Sequence, residues 1–436
     1  MPPAPATPPF PAATDIVVIG GGIVGAAAAL ALARRRLRVV LVEKDRIAGQ
    51  QSGRNWGFVR SQYRDPAELP LAVEALTLWS DFAREFGAAI GWRRTGCLFL
   101  AEDEAELARF RRWQEDCRAV APDARILSPD AVRRLVPGLR RPGAGALHTP
   151  SDGQAEPALA TAALAQAAAT AGAVILEGCG AIAIERQGGR VAAVRTERGT
   201  IACEGVVCAA GAASHRFLAA LGLRLPQQVV RSTVSLTTPL PAIADPCFCG
   251  FGLGLRQRAD GSCIIAPDSR SDVDLTLDSL RGARFFLPEL MRMRRSFALR
   301  LGRAFVDDLA LRLTARADRR MVEPRRPAIP ANERLVAESL RRLQDLFPGA
   351  AGARIARSWA GRIDVLPDAL PVIDAPAEVP GLVVATGFSG HGFGLAPSAG
   401  RHAAALAAGE APGAAIRPFR LDRFARGTHG RPHAPL

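Results

Sequence analysis

After a proline- and alanine-rich opening, residues 16–19 are an unbroken apolar run. Glycines then cluster at 20–25, apolar residues recur with helical spacing over 23–35, and a second strand-like run, apolar from Val39 on, covers 38–42. Runs without a polar face predict strands buried on both sides, and the order strand, turn, helix, strand predicts a βαβ unit of a parallel sheet. Helical spacing returns at 71–86 and 102–120 around a strand at 95–100, and an alanine-rich helix is expected over 155–171. A strand at 173–176 follows, then alternating segments at 181–185, 190–197 and 200–203 and a buried strand at 205–210. Separated strands at 228–237, 253–258 and 262–266, the last after an Asp260-Gly261 turn, predict antiparallel pairing. Charged helices over 287–309 and 332–346, a buried strand at 382–386 and a closing helix at 398–407 complete the series. The expectation is an α/β protein in which a Rossmann-like nucleotide-binding domain is interleaved with an α+β domain built on a mixed, largely antiparallel sheet.

The length of 436 residues favours two domains over one core. A formal net charge of +14 raises nucleic acid as a partner. The arginines are scattered over helical faces, aromatic residues are sparse and Lys44 is the only lysine, so the basic footprint that nucleic acid needs is missing. Cys97, Cys117, Cys179, Cys203, Cys208, Cys247, Cys249 and Cys263 show no paired spacing for zinc or an iron–sulfur cluster, which predicts no metal and free, buried thiols in a reducing compartment. The apolar stretch 16–33 lacks a basic leader and is broken by glycine, so neither a signal segment nor an integral membrane span is expected. A cytoplasmic protein is predicted, with peripheral membrane contact left open, and residues 1–14 read as a flexible leader.

Gly20, Gly22 and Gly25 form Gly-x-Gly-x-x-Gly between the first strand and its helix. There Gly20 permits a tight turn, Gly22 lets backbone approach a diphosphate, and Gly25 lets helix and strand pack closely. The helix start at Ile23 and Val24 offers free N–H groups to phosphate. Glu43, ending the second strand, stands where an acid accepts hydrogen bonds from a ribose hydroxyl and disfavours a 2′-phosphate. These features alone do not separate FAD from NAD.

Four blocks do: 17–25 with Glu43; Ser52-Gly53-Arg54-Asn55-Trp56-Gly57; 206–211, ending Ala210-Gly211; and 385–392, containing Gly387-Phe388-Ser389-Gly390-His391-Gly392. Trp359-Ala360-Gly361 followed by Leu366-Pro367-Asp368 adds a fifth. In these the chain resembles the D-amino-acid oxidase superfamily, especially its glycine oxidase, sarcosine oxidase and D-amino-acid dehydrogenase-like branch. The resemblance implies non-covalent FAD, and it assigns to the cofactor the blocks above with Lys44 beside the ribose, Val174 by the adenine and Gly361. It also implies that N–H groups of Gly387, Phe388, Gly390, His391, Gly392, Phe393 and Gly394 converge on the flavin's pyrimidine end. The corresponding domains are 15–90, 141–225 and 347–420 for FAD, and 91–140 with 226–346 for substrate, followed by a tail at 421–436.

The implied reaction is oxidation of the C–N bond of a small amine or amino acid. A hydride passes to the flavin, and oxygen, a quinone or an electron carrier is the final acceptor. By the same resemblance Arg60 pairs with a substrate carboxylate, the alternative being a contact to the cofactor or a surface carboxylate, and His391 either manages a proton or polarises oxygen or is a structural residue bridging loop carbonyls; Tyr63, the only tyrosine, is a candidate to close the pocket. Arg256 and Arg258, two apart on a strand, face the pocket together or not at all. Two departures stand out. Arg362 is shifted by one residue from the position of a carboxylate-binding arginine in glycine oxidase-like relatives, which reverses its face on a strand. The lysine that sarcosine oxidase-like relatives hold above the flavin has no counterpart, which favours a dehydrogenase or slow oxidase. Competing readings are an FAD-dependent hydroxylase or 2-hydroxyacid oxidase, and a flavin-bearing subunit of a larger complex; homo- and hetero-oligomers both remain open.

Overall fold

The computed structural model describes residues 9–121, 123–268, 270–292 and 297–433. Its first sheet runs in the order Val372–Asp374, Leu382–Thr386, Gly199–Cys208, Ala13–Ile19, Val39–Val42, Val174–Leu176, and the hairpin Ala181–Gln187 with Arg190–Thr196 extends from Gly199–Cys208. The neighbours of Ala13–Ile19 lie parallel to it, with Val17 beside Val206 on one side and Val40 on the other. Val17, Val18 and Leu41 are fully buried, as all-apolar strands covered on both faces must be. One face carries the helices Ile23–Arg34, Pro157–Thr170 and Gly392–Ala407, whose alanines and glycines allow close packing; hairpin residues such as Val191 and Val194 and the helix Ser214–Ala220 cover the other.

The second sheet has ten strands and is mostly antiparallel. Its longest seam pairs Gln228–Thr237 with Ile355–Val365, from Gln228 opposite Val365 to Thr237 opposite Ile355. The strand Leu253–Gln257 pairs with both Cys247–Gly250 and Cys263–Pro267, and Cys97–Ala101 joins it to Gly145–Thr149. Among the described residues no helix is long and apolar enough to cross a membrane, and no metal-binding cluster occurs.

Several sequence expectations need correction. The leader does not reach Thr14, because Ala13 and Thr14 already pair with Ala202 and Cys203; residues 1–8 lie outside the described residues. The segments 200–203 and 205–210 are one strand, Gly199–Cys208, since the hairpin and Ala13–Ile19 bind different stretches of it. The helix expected over 287–309 is Leu277–Arg292 and Arg303–Thr314, with the strand Phe297–Arg300 between them recruited by the open edge of Ser271–Asp274. The closing helix starts at Gly392, inside the glycine-rich turn. The segment after residue 420 is anchored: Leu421 and Phe424 join the core, and buried Arg423 grips Asp368 at 2.8 Å.

Candidate active site

The first strand ends at Ile19, and Gly20 turns the chain with φ of 113°, a conformation in which a side chain is strained. A Cβ at Gly25 would overlap the Gly20 carbonyl oxygen, so helix and turn meet only because both positions lack one. Ser52 Oγ accepts the Ile23 N–H at 2.9 Å and caps the helix from a distant loop. Glu43 accepts the Gly21 N–H at 2.7 Å and the Asp45 N–H at 2.8 Å, and burial lifts its pKa above the usual range against those donors. A cavity of about 50 Å³ opens at these strand ends, bounded by Gly20, Glu43, Lys44 and Ala210. Crevices at the carboxyl ends of parallel strands are where such sheets take nucleotides. Lys44 is largely withdrawn from water, which lowers its pKa, and its Nζ donates to the Pro324 carbonyl at 3.3 Å. Val174 lines neither this cavity nor the larger one described next, and the Gly211 carbonyl accepts from Gln227 Nε2 at 3.0 Å.

The larger cavity, of about 560 Å³, brings together Arg54, Asn55, Trp56, Gly57, Arg60, Tyr63, Gly361, Gly390, His391 and Phe393. The loop 51–57 therefore serves both places, capping the helix through Ser52 and lining the large cavity from Arg54 onward. It is strapped to the strand Ile355–Val365: Arg54 donates to the Ala360 carbonyl at 3.2 Å, and Trp359 Nε1 donates to the Arg54 carbonyl at 2.9 Å. Asn55 Oδ1 accepts the Gly57 N–H at 2.8 Å. Gln51 Oε1, beside Gly361, is a buried acceptor with no partner among the described residues.

The structure does not bring Arg256 or Arg362 to this cavity. Arg256 is buried and pairs with Glu156 at 2.9 Å, and Arg258 meets the same carboxylate at 3.1 Å, so the two share a face as their spacing requires. Gly361 and Ile363 line the cavity, and alternation sends Arg362 to the opposite face toward Asp274 and Arg216, where burial lowers its pKa. The turn at 387–394 is also partly spent on itself. Half-buried Asp364 takes the Gly387 N–H at 2.9 Å on its carboxylate and the Ser389 N–H at 2.9 Å on its carbonyl, and the His391 N–H goes to Phe388. Phe388 is buried in the core, while the Gly394 carbonyl accepts from Trp79 Nε1 at 2.9 Å. Gly392 is the first residue of the closing helix and does not line the cavity.

Of the five arginines lining the large cavity, Arg64, Arg270 and Arg342 face Glu68 or Glu338, and Arg54 is engaged by backbone carbonyls. Arg60 forms no ion pair among the described residues; it donates to the Gln62 carbonyl and lies over the Phe99 ring, 5.1 Å from its centroid. Tyr63, with φ of 54°, sits at 5.0 Å from Phe110 and 6.0 Å from Trp113 between ring centroids. The backbone between them is pinned by Asp152, which accepts from Ser61 N–H at 2.7 Å, Ser61 Oγ at 2.9 Å and Gln62 N–H at 3.0 Å. His391 Nδ1 lies 3.1 Å from fully buried Glu68, which is 3.7 Å from Arg64.

Sequence reasoning missed Asp152, Glu68, Arg64 and Asp364. The only local hint was the Asp152-Gly153 turn, because none of the four belongs to a periodic or spaced motif.

Burial raises the Asp152 pKa to about 6 against its three hydrogen bonds. The folded state therefore holds this proton more tightly than the unfolded chain, so the contribution is fully present below about pH 4 and is lost as pH rises through 6. Relative to wild type, Asp152→Asn is expected to gain up to about 3 kcal/mol in unfolding free energy between pH 4 and 7, read from urea denaturation at each pH. A difference that stays constant with pH would refute it.

A profile of the DAO family, described as FAD dependent oxidoreductase, matches residues 15–406. The chain is 28% identical over 423 residues to the sarcosine oxidase subunit beta of Rhizobium meliloti (strain 1021), covering 95% of this chain and 89% of that protein. Against the glycine oxidase of Geobacillus kaustophilus (strain HTA426) it is 28% identical over 419 residues, covering 94% and 97%. The solved structure of L-amino acid deaminase from Proteus myxofaciens in complex with anthranilate matches with a TM-score of 0.90 and 28% identity, over 97% of this chain and 96% of that one. The profile match runs from the first parallel strand into the closing helix and takes in both the glycine cradle and the large cavity: the chain belongs to the DAO family of FAD-dependent oxidoreductases.

Proposed function

We propose that this protein oxidises the C–N bond of a small amino acid or amine, anchoring the substrate carboxylate on Arg60. The observation that carries the reading is that Arg60 lines the large cavity with no ion pair among the described residues, whereas Arg64, Arg270 and Arg342 face carboxylates and Arg54 is tied to the carbonyls of Ala360 and Gly49. A planar fork without a carboxylate partner is matched to a carboxylate ligand. The relatives named above are a sarcosine oxidase subunit, a glycine oxidase and an L-amino acid deaminase, which favours the same substrate class.

The glycine cradle and Glu43 suit the dinucleotide half of FAD, and the 51–57 loop with the start of the closing helix would hold its ring end at the large cavity. Bound FAD supplies the hydride acceptor. The chain's own residues orient the substrate through Arg60, wall it with Tyr63, Phe99 and Phe110, and present His391 for the amine proton. The imine product then hydrolyses. Lys44, the only lysine, lines the small cavity and not the large one, which supports a dehydrogenase over an oxidase. A nucleotide domain at 15–90, 141–225 and 347–420 and a substrate domain at 91–140 and 226–346 follow the two sheets except at Gly145–Thr149 and Ile355–Val365, which pair within the second sheet and so go with the substrate domain.

Anaerobic addition of D- and L-amino acids, N-methyl amino acids and simple amines to the yellow holoprotein tests the reading. Saturable bleaching by one amino-acid class is expected, with faster reoxidation by a quinone analogue than by oxygen and release of the colour on acid precipitation. Bleaching by hydroxyacids or NADPH alone would overturn it.

A further inference from the structure

Glu68 stands directly ahead of the helix Leu69–Phe86 and is fully buried. Its Oε1 is hydrogen-bonded to His391 Nδ1 at 3.3 Å, its Oε2 lies 3.1 Å from the same nitrogen and 3.7 Å from Arg64 Nη1, and Arg64 is itself 3% exposed. The charged groups bearing on His391 are Arg64, Glu68 and Arg60. An ionised carboxylate can only accept hydrogen bonds, so Nδ1 must carry the imidazole proton. Burial and the positive charge of Arg64 lower the ring's pKa and favour the neutral form, while the Glu68 carboxylate acts in the opposite direction and would stabilise an imidazolium. In the neutral form Nε2 is an unprotonated acceptor on a residue that lines the large cavity, and it makes no hydrogen bond among the described residues.

We propose that Glu68, backed by Arg64, is a positioning residue that locks His391 in the Nδ1–H tautomer, leaving Nε2 to accept the proton that a substrate ammonium must shed before oxidation. In this step the ammonium N–H bond breaks and an Nε2–H bond forms. No electrons are exchanged, and the imidazolium faces the Glu68 carboxylate. The proposal rests on the amine or amino-acid reading of the cavity. It concerns residues that sequence motifs do not mark, and it assigns the orientation of His391 to a contact 323 positions away along the chain.

Glu68→Gln is the test, because it keeps the shape and removes the charge. The Arg64 guanidinium claims the amide oxygen, which turns the amide N–H groups toward His391 Nδ1. His391 must then accept there and carry its proton on Nε2, closing the acceptor. Nitrogen NMR of the imidazole ring is expected to show the proton on Nδ1 in the wild-type holoprotein and on Nε2 in the variant. Anaerobic flavin reduction should fall by about 100-fold near neutral pH and recover as pH rises and the amine loses its proton in solution. The added substitution should cost nothing further in a His391→Gln background.

An unchanged tautomer in the variant, or a rate lowered equally at every pH, overturns the proposal. If Glu68→Gln fails to fold, the wild-type spectrum still decides, since a proton on Nε2 there is fatal. If no amine bleaches the flavin the proposed activity fails, while the tautomer measurement continues to judge Glu68 separately.

Discussion

Gly25→Ala is expected to yield a destabilised protein that purifies nearly colourless, with FAD affinity reduced by at least about 100-fold, or about 3 kcal/mol. The new Cβ would overlap the Gly20 carbonyl oxygen, a backbone atom that no rotamer change can move. Gly20 has little freedom to yield: its N–H is held by the Val42 carbonyl at 2.9 Å, and the Ala209 carbonyl stands so close that a Cβ on Gly20 would overlap it. The helix must therefore lift from the strand, taking with it the N–H groups meant for the diphosphate. Gly22→Ala provides the contrast. There a Cβ meets only Ser52 Oγ at 3.1 Å, so apoprotein stability should change by less than about 1 kcal/mol while FAD affinity still falls, because the backbone can no longer approach the phosphates. Thermal melts of both apoproteins, with FAD titrations followed by flavin fluorescence, separate packing from ligand approach. Equal melting of the two variants would contradict this account of the cradle.

Arg60→Met is expected to raise the Kd of the reducing amino acid by about 100-fold or more, leaving FAD content and visible spectrum unchanged. Methionine retains much of the packing over Phe99 but loses the charge, so a bound carboxylate would be desolvated without a partner. Arg60→Lys should recover only part of the loss, because an ammonium cannot reproduce the two parallel hydrogen bonds of a guanidinium. Substrate dependence of the anaerobic bleaching rate gives Kd directly. A Kd within about threefold of wild type for Arg60→Met would remove the carboxylate anchor from the proposed function.

Strands and helices were read closely where their causes are local. The strand Gln228–Thr237 coincides with its predicted bounds, and Ile23–Arg34 differs by one residue, because apolar period and glycine punctuation act over a few positions. The misreading around Phe297–Arg300 has the opposite origin. That short segment is a strand because Ser271–Asp274 offers it an edge, and no periodicity within the segment announces a neighbour.

In the site, the candidates Arg60 and His391, read from the resemblance, and Tyr63, the only tyrosine, are gathered into one cavity, whereas Arg256, left to strand parity, and Arg362, one residue off a family position, are not. Strand parity explains Arg362 and a buried ion pair explains Arg256.

The sequence by itself determined the strand–glycine turn–helix unit and its capacity to seat a diphosphate, since the absence of side chains at Gly20 and Gly25 is a local property that no partner has to supply. Only the tertiary structure decided that Arg60 lines the large cavity without an ion pair among the described residues, that Asp152 clamps the Arg60 loop from 91 residues away, and that Glu68 faces His391. Charge pairing and desolvation are set by what surrounds a group in space, and chain spacing carries no record of that.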